Sequence, residues 1–215
     1  LPDQVSPSES TAALAPHRVY TMTGTDLLGA SPALIGIASA LLTLLAFAPY
    51  IRDTWRGETR PQRSTWFIWS VLSTIALISQ IYEGAGASLW FAGAQVAGTI
   101  VICGLAIHRG FGAFLSGSDW LVLGLAGCGV ALWAITEDAA YALAITIAIS
   151  LLGGSVTVLK AFREPDTETM STWFISLFAA LLGLAAVGSP DPLLLAYPLY
   201  LVTLYAMILG AQCLG

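Results

Sequence analysis

Four polar or aromatic side chains stand in helical register inside long apolar runs. Trp69 and Ser73 are one turn apart in one run, and Gln95 and Thr99 are one turn apart in the next, so each pair shares a helix face. Later, Ser176 holds the place of Trp69 in a second copy of its surroundings, and Tyr200 and Thr203 lie in the last run beyond Tyr197-Pro198. The chemistry open to these residues is neutral. An aromatic platform, hydroxyls and an amide hold a small uncharged polar solute by stacking and hydrogen bonding. The same residue types also serve helix packing, since Ser and Thr bond to their own helix or join neighbours. Both uses stay open from the residues alone.

Bond-making chemistry is poorly provided for. The two histidines are His17 and His108, and His108 beside Arg109 reads as an interfacial anchor. No zincin motif, nucleophile elbow or glycine-rich phosphate loop occurs. Cys103, Cys128 and Cys213 fall singly in apolar runs and read as small buried side chains, not as metal ligands or disulfide partners. Glu83, Asp119, Lys160 and Asp191 lie at run ends, within reach of water, so no carboxylate proton relay across the bilayer is expected. The expectation is no enzyme, no metal and no cofactor.

The elements that must position these groups belong to a membrane. The chain is 57% hydrophobic and 10% charged, with a mean hydropathy of +0.80, whereas soluble domains carry about a quarter charged residues. The lipid bilayer is therefore the first partner. Basic patches for nucleic acid are absent. Seven apolar runs, at roughly 31–51, 64–82, 88–108, 119–136, 139–159, 171–188 and 192–214, approach the ~20 helical residues that cross a hydrocarbon core. Helices are required because each backbone polar group must be satisfied within its own segment. Glu137-Asp138 alone separates the fourth and fifth runs, which predicts a tight hairpin, and Asp119 is placed to N-cap the fourth helix.

Basic residues give the orientation. Arg52, Arg56, Arg60, Arg63, Arg109, Lys160 and Arg163 fall on one side of a seven-crossing chain, and only Arg18 falls on the other. The positive-inside rule then puts the N-terminus outside and the C-terminus in the cytoplasm. Residues 1–30 form a polar extracytoplasmic tail without the pattern of a cleavable signal peptide. The first residue is not Met; Met22 as an alternative start and a trimmed terminus both fit.

The phrase Ser64-Thr65-Trp66-Phe67 returns as Ser171-Thr172-Trp173-Phe174, each time after a charged stretch and at the head of an apolar run. That predicts an internal duplication. Residues 31–108 form a first three-helix repeat, 119–136 a linker helix, and 139–214 a second repeat. The odd linker keeps both copies parallel, with a pseudo-axis along the membrane normal. Aligning the third and seventh runs without gaps pairs Thr99 with Thr203 and Leu89 with Leu193. Trp66 and Trp173 begin their helices and read as belt anchors at the interface.

This 3+1+3 pattern resembles the PQ-loop superfamily, which includes the SWEET sugar transporters. Pro49-Tyr50 stands where that family has Pro-Gln at the end of the first helix, with Ser64-Thr65 beginning the second; Val156-Thr157 and Ser171-Thr172 take those places in the other half. Pro61-Gln62 carries the family's letters but lies in the charged loop, as a coincidence. The chain has no Asn, so the paired pocket asparagines of SWEETs have no counterpart. The closer likeness is to seven-helix bacterial relatives with a basic loop before Ser-Thr-Trp. The resemblance implies an all-α integral protein of a bacterial inner (plasma) membrane. It further implies a passive facilitator of a small neutral solute, rocking about Pro49 and Pro198. The alternative is a non-transporting accessory or structural subunit of a larger membrane complex, its N-terminal tail docked on a partner subunit.

Overall fold

The computed structural model describes residues 31–110, 112 and 117–215, the side chains of Ser118, Asp119 and Val122 excepted. The N-terminal tail and the expected Asp119 cap lie outside what is described. The described residues form seven α-helices: α1 Pro32–Arg56, α2 Arg63–Tyr82, α3 Ser88–Arg109, α4 Gly117–Thr136, α5 Ala139–Arg163, α6 Met170–Ala185 and α7 Pro192–Leu214. Among the described residues, α1, α2, α3, α5 and α7 are long and apolar enough to cross a membrane. The apolar stretches Leu123–Thr136 of α4 and Met170–Ala185 of α6 are shorter.

Helix ends follow from local chemistry. Ser31 caps α1 through the Leu34 N–H, and Asp191 caps α7 through the N–H groups of Leu193 and Leu194. Asp138 caps α5 at Ala140 N–H (2.9 Å), and Glu137 before it has a φ of 57°. These two residues make the expected turn between α4 and α5, which pack together. α1 and α5 run about one turn past their apolar stretches. α1 stops only at Gly57, whose φ of 80° suits a glycine cap; there Glu58 N–H returns to Asp53 O at 2.9 Å.

In the bundle, α3 packs against both α1 and α2, and α7 packs against both α5 and α6. The two groups meet through α1 on α6 and α2 on α5, with a lesser contact of α3 on α6, while α4 also touches α2. Lipid gives helices no hydrophobic reason to associate, so close contact depends on small residues. Ala46, Ala76, Ala179 and Ala180 are fully buried at these crossings. Phe47 of α1 occupies the space that a side chain on Gly98 of α3 would need, and Leu204 of α7 comes within 2.6 Å of where a methyl on Gly154 of α5 would sit. Cys128 and Cys213 are exposed, contrary to the expectation of burial. On a helix facing lipid, an apolar side chain has no need to turn inward.

Hydrogen bonds gather the basic loops at one end. Arg63 donates to Ala106 O and Gly112 O, and Arg109 to Trp55 O. Lys160 Nζ donates to Arg60 O (3.2 Å), and Gln212 Nε2 donates to Pro165 O and Glu168 O. The loops after α1, α3 and α5 and the end of α7 therefore share one face of the bundle. At the other end, the Ala87 carbonyl lies over Gly36, and the rings of Tyr82 and Trp133 meet edge to face at 4.9 Å.

Candidate functional site

A cavity of about 40 Å³ lies between the two helix groups. Phe47, Trp66, Trp69, Ser73, Gln95 and Thr99 line it from one group; Ser150, Thr172, Trp173, Ser176, Tyr197, Tyr200, Leu201, Leu204 and Tyr205 line it from the other. Its walls carry no charged side chain. A water needs about 10–15 Å³ measured this way, so the space takes about three waters.

Six of the seven sequence-predicted residues meet here: Trp69, Ser73, Gln95, Thr99, Ser176 and Tyr200. Ser73 and Thr99 exchange a hydroxyl bond of 3.1 Å, and each also donates or is poised to donate to its own helix, at Ser70 O and Val96 O. Gln95 Nε2 donates to the Tyr205 hydroxyl on α7. Among the described residues, Trp69 Nε1 and Thr172 Oγ1 are buried and find no hydrogen-bond partner. Buried donors in that state are rare and costly, and they favour a guest that brings acceptors.

Thr203 is the exception. It is exposed and bonds back to Leu199 O at 2.9 Å. The inward stripe of α7 runs through Tyr197, Tyr200, Leu201, Leu204, Tyr205 and Ile208, and Thr203 falls outside that arc. The buried stripes of α3 and α7 superpose when Thr99 is set against Tyr205, about half a turn from the expected pairing with Thr203. Pro49 is half-buried in α1 and Pro198 buried in α7, and both helices continue through them.

Trp66 and Trp173 are not belt anchors. They are 5% and 3% exposed and form the floor of the cavity, with Tyr50 packed against both of them. Tyr50 lies 5.0 Å from Trp66 and 6.2 Å from Trp173 between ring centroids, and Trp69 stands edge-on to Trp66 at 5.4 Å. The first turns of α2 and α6 face each other across the bundle, so their tryptophans point inward. The repeated phrase itself carried this signal, because an aromatic placed twice at one position fits a symmetric lining as well as it fits an interface.

Below this floor is a charged cluster that the sequence reading did not identify. Lys160, read as reaching water, has a side chain only 15% exposed and meets Glu168 Oε1 at 2.6 Å; the Glu168 side chain is 4% exposed. Trp173 Nε1 donates to Glu168 Oε2 at 3.2 Å. Burial raises the Glu168 carboxyl above the usual glutamate range, against the opposing pull of Lys160 and the indole N–H. A second void of about 10 Å³, the size of one water, touches Tyr50, Thr157, Lys160, Glu168 and the same tryptophans. Beside it, Thr59 and Thr169 share a 2.6 Å hydroxyl bond, and Thr169 donates to Asp53 Oδ2 at 3.2 Å.

Among the described residues, no group of His, Cys, Asp or Glu has the arrangement of a metal site. No protein-family model, curated protein or solved structure matches the chain.

Proposed function

We propose that this multi-pass membrane protein is a non-enzymatic carrier of PQ-loop, SWEET-like architecture that moves a small neutral solute by alternating access. The observation that carries the reading is the axial cavity. It is polar, uncharged, built from both helix groups, and edged by two buried donors without partners. The cavity holds only a few waters, so anything larger enters when the groups part.

A parallel 3+1+3 repeat is supported by two features. The contacts α1 on α6 and α2 on α5 exchange with each other when the groups are swapped. The buried positions of α3 also map onto those of α7: Phe91 onto Tyr197, Gln95 onto Leu201, Thr99 onto Tyr205 and Ile102 onto Ile208. On this reading all seven helices cross a bacterial inner membrane. The basic end faces the cytoplasm and the N-terminus lies outside.

The test is flux in proteoliposomes over a panel of neutral metabolites. Trp69→Ala abolishes transport, and Thr203→Ala on the outer face leaves it intact. A panel without any flux, from protein that is folded and correctly inserted, overturns the reading.

A further inference from the structure

The cavity is walled largely by rings, and no carboxylate or basic group lines it. Trp66, Trp69 and Trp173 enclose its floor end, and Tyr197, Tyr200 and Tyr205 line it from α7. Tyr205 stands 5.9 Å from Trp173 between ring centroids, and Tyr197 and Tyr200 are 6.2 Å apart. Part of the polar lining is already engaged. Ser73 and Thr99 bond each other, and the Gln95 amide is given to Tyr205. Among the described residues, the Trp69 indole N–H and the Thr172 hydroxyl remain buried and unpartnered, and the indole can only donate. Both belong to the floor end: Thr172 precedes Trp173, and Trp69 stands edge-on to Trp66 at 5.4 Å. Tyr200 precedes Tyr205 by a turn and a half of α7, which sets it about 7.5 Å farther from the floor.

Each of these features selects for a property of the guest. Unpartnered donors at the floor call for a group that accepts without donating, and an oxyanion does so most strongly. Ring faces attract a cation. A primary ammonium would bring three N–H groups to walls without a carboxylate, whereas a fully methylated ammonium brings none. A lone cation or a lone anion would be buried here without a counter-charge, at high cost. A guest that carries both charges brings its own, and its net charge stays at zero.

We propose that the cavity receives a zwitterion joining a methylated ammonium to an oxyanion. The oxyanion meets Trp69 and Thr172, and the ammonium lies among the tyrosine rings of α7. A cation is held up to ~6 Å from a ring centroid and an oxyanion ~3 Å from its donors, so a guest a few ångströms long reaches from the floor to Tyr200. This names the solute class of the carrier proposed above and rests on that reading.

The experiment is isothermal titration of the full-length protein in lipid nanodiscs with trimethylglycine and three relatives that each lack one feature. Glycine lacks the methyl groups, choline has a hydroxyl in place of the oxyanion, and 3,3-dimethylbutanoate has carbon in place of the charged nitrogen. Trimethylglycine should bind at least about tenfold more tightly than each of them. Tyr200→Leu should narrow the margin over 3,3-dimethylbutanoate. Thr172→Val and Trp69→Phe should narrow the margin over choline. The comparison among ligands is made on the unaltered protein, so a variant that fails to fold does not remove the test. The proposal is overturned if trimethylglycine does not bind, or if any of the three relatives binds as tightly. Proteoliposome flux separates it from the carrier reading. Flux of sorbitol without binding of trimethylglycine overturns the solute class and leaves the carrier standing. Tight binding of trimethylglycine without flux of any solute supports the site and overturns the carrier.

Discussion

Gln95 of α3 donates its side-chain amide to the hydroxyl of Tyr205 on α7, bridging the two helix groups across the cavity. Tyr205→Phe strips the amide of that partner. Inter-helix hydrogen bonds inside membranes average about 0.6 kcal/mol and reach about 1.7, so a loss near 1 kcal/mol is expected in reversible unfolding from mixed micelles. The double variant Q95L/Y205F should lose less than the sum of the single changes. Additive losses mean that the two groups act independently.

Gly98 is required by Phe47. Gly98→Ala places a methyl inside the ring's space, and overpacking of this kind costs about 1–3 kcal/mol. Gly93 and Gly104, on the same helix, have open space around them. Changing either to Ala should be neutral or stabilise by up to about 1 kcal/mol through helix propensity. The pair F47G/G98L copies the Gly154–Leu204 arrangement and should fold where G98L alone does not. Melting temperature and monodispersity decide the matter.

The Glu168 carboxyl makes stability depend on pH. Its folded-state affinity for protons is raised above the ordinary range by burial, so the folded chain binds a proton more readily than the unfolded chain. Stability is therefore highest below the ordinary glutamate range and falls as pH rises from there through the raised value. Glu168→Gln should flatten that slope in thermal melts followed by circular dichroism. A slope unchanged in E168Q assigns it to another group.

Topology is checked by impermeant thiol labelling. Glu58→Cys and Asp166→Cys, in loops that share one end, should react from the same side, and Gly86→Cys, between α2 and α3, from the opposite side. In cells the first two should be protected and the third exposed. Reaction of Glu58→Cys and Asp166→Cys from different sides breaks both the orientation and the repeat.

The apolar runs made the helices legible, because a membrane requires long uninterrupted stretches and little else in the chain competes with them. Their polar ends were less legible. α1 continues through Arg52 and Asp53 to a glycine, and hydropathy does not register a capped charged turn. Trp69, Ser73, Gln95 and Thr99 were legible as residues that share one inward face of the bundle, because one-turn spacing survives any bundle geometry. Thr203 was misplaced because two apolar helices align equally well at several registers, and only burial selects among them. Glu168 escaped notice for a different reason. Its loop reads as hydrated, and it is buried only because that loop folds back over the helix ends, bonded to Gln212 and to the loop after α1.

The cavity floor has an optical consequence. Trp66, Trp69 and Trp173 make up three of the chain's seven tryptophans, and all three line both internal voids, at the layer that separates for passage in the carrier proposed above. Indole emission shifts to longer wavelength when water reaches the ring. The native protein thus carries its own fluorescent reporter of whether water reaches this layer, with no dye attached.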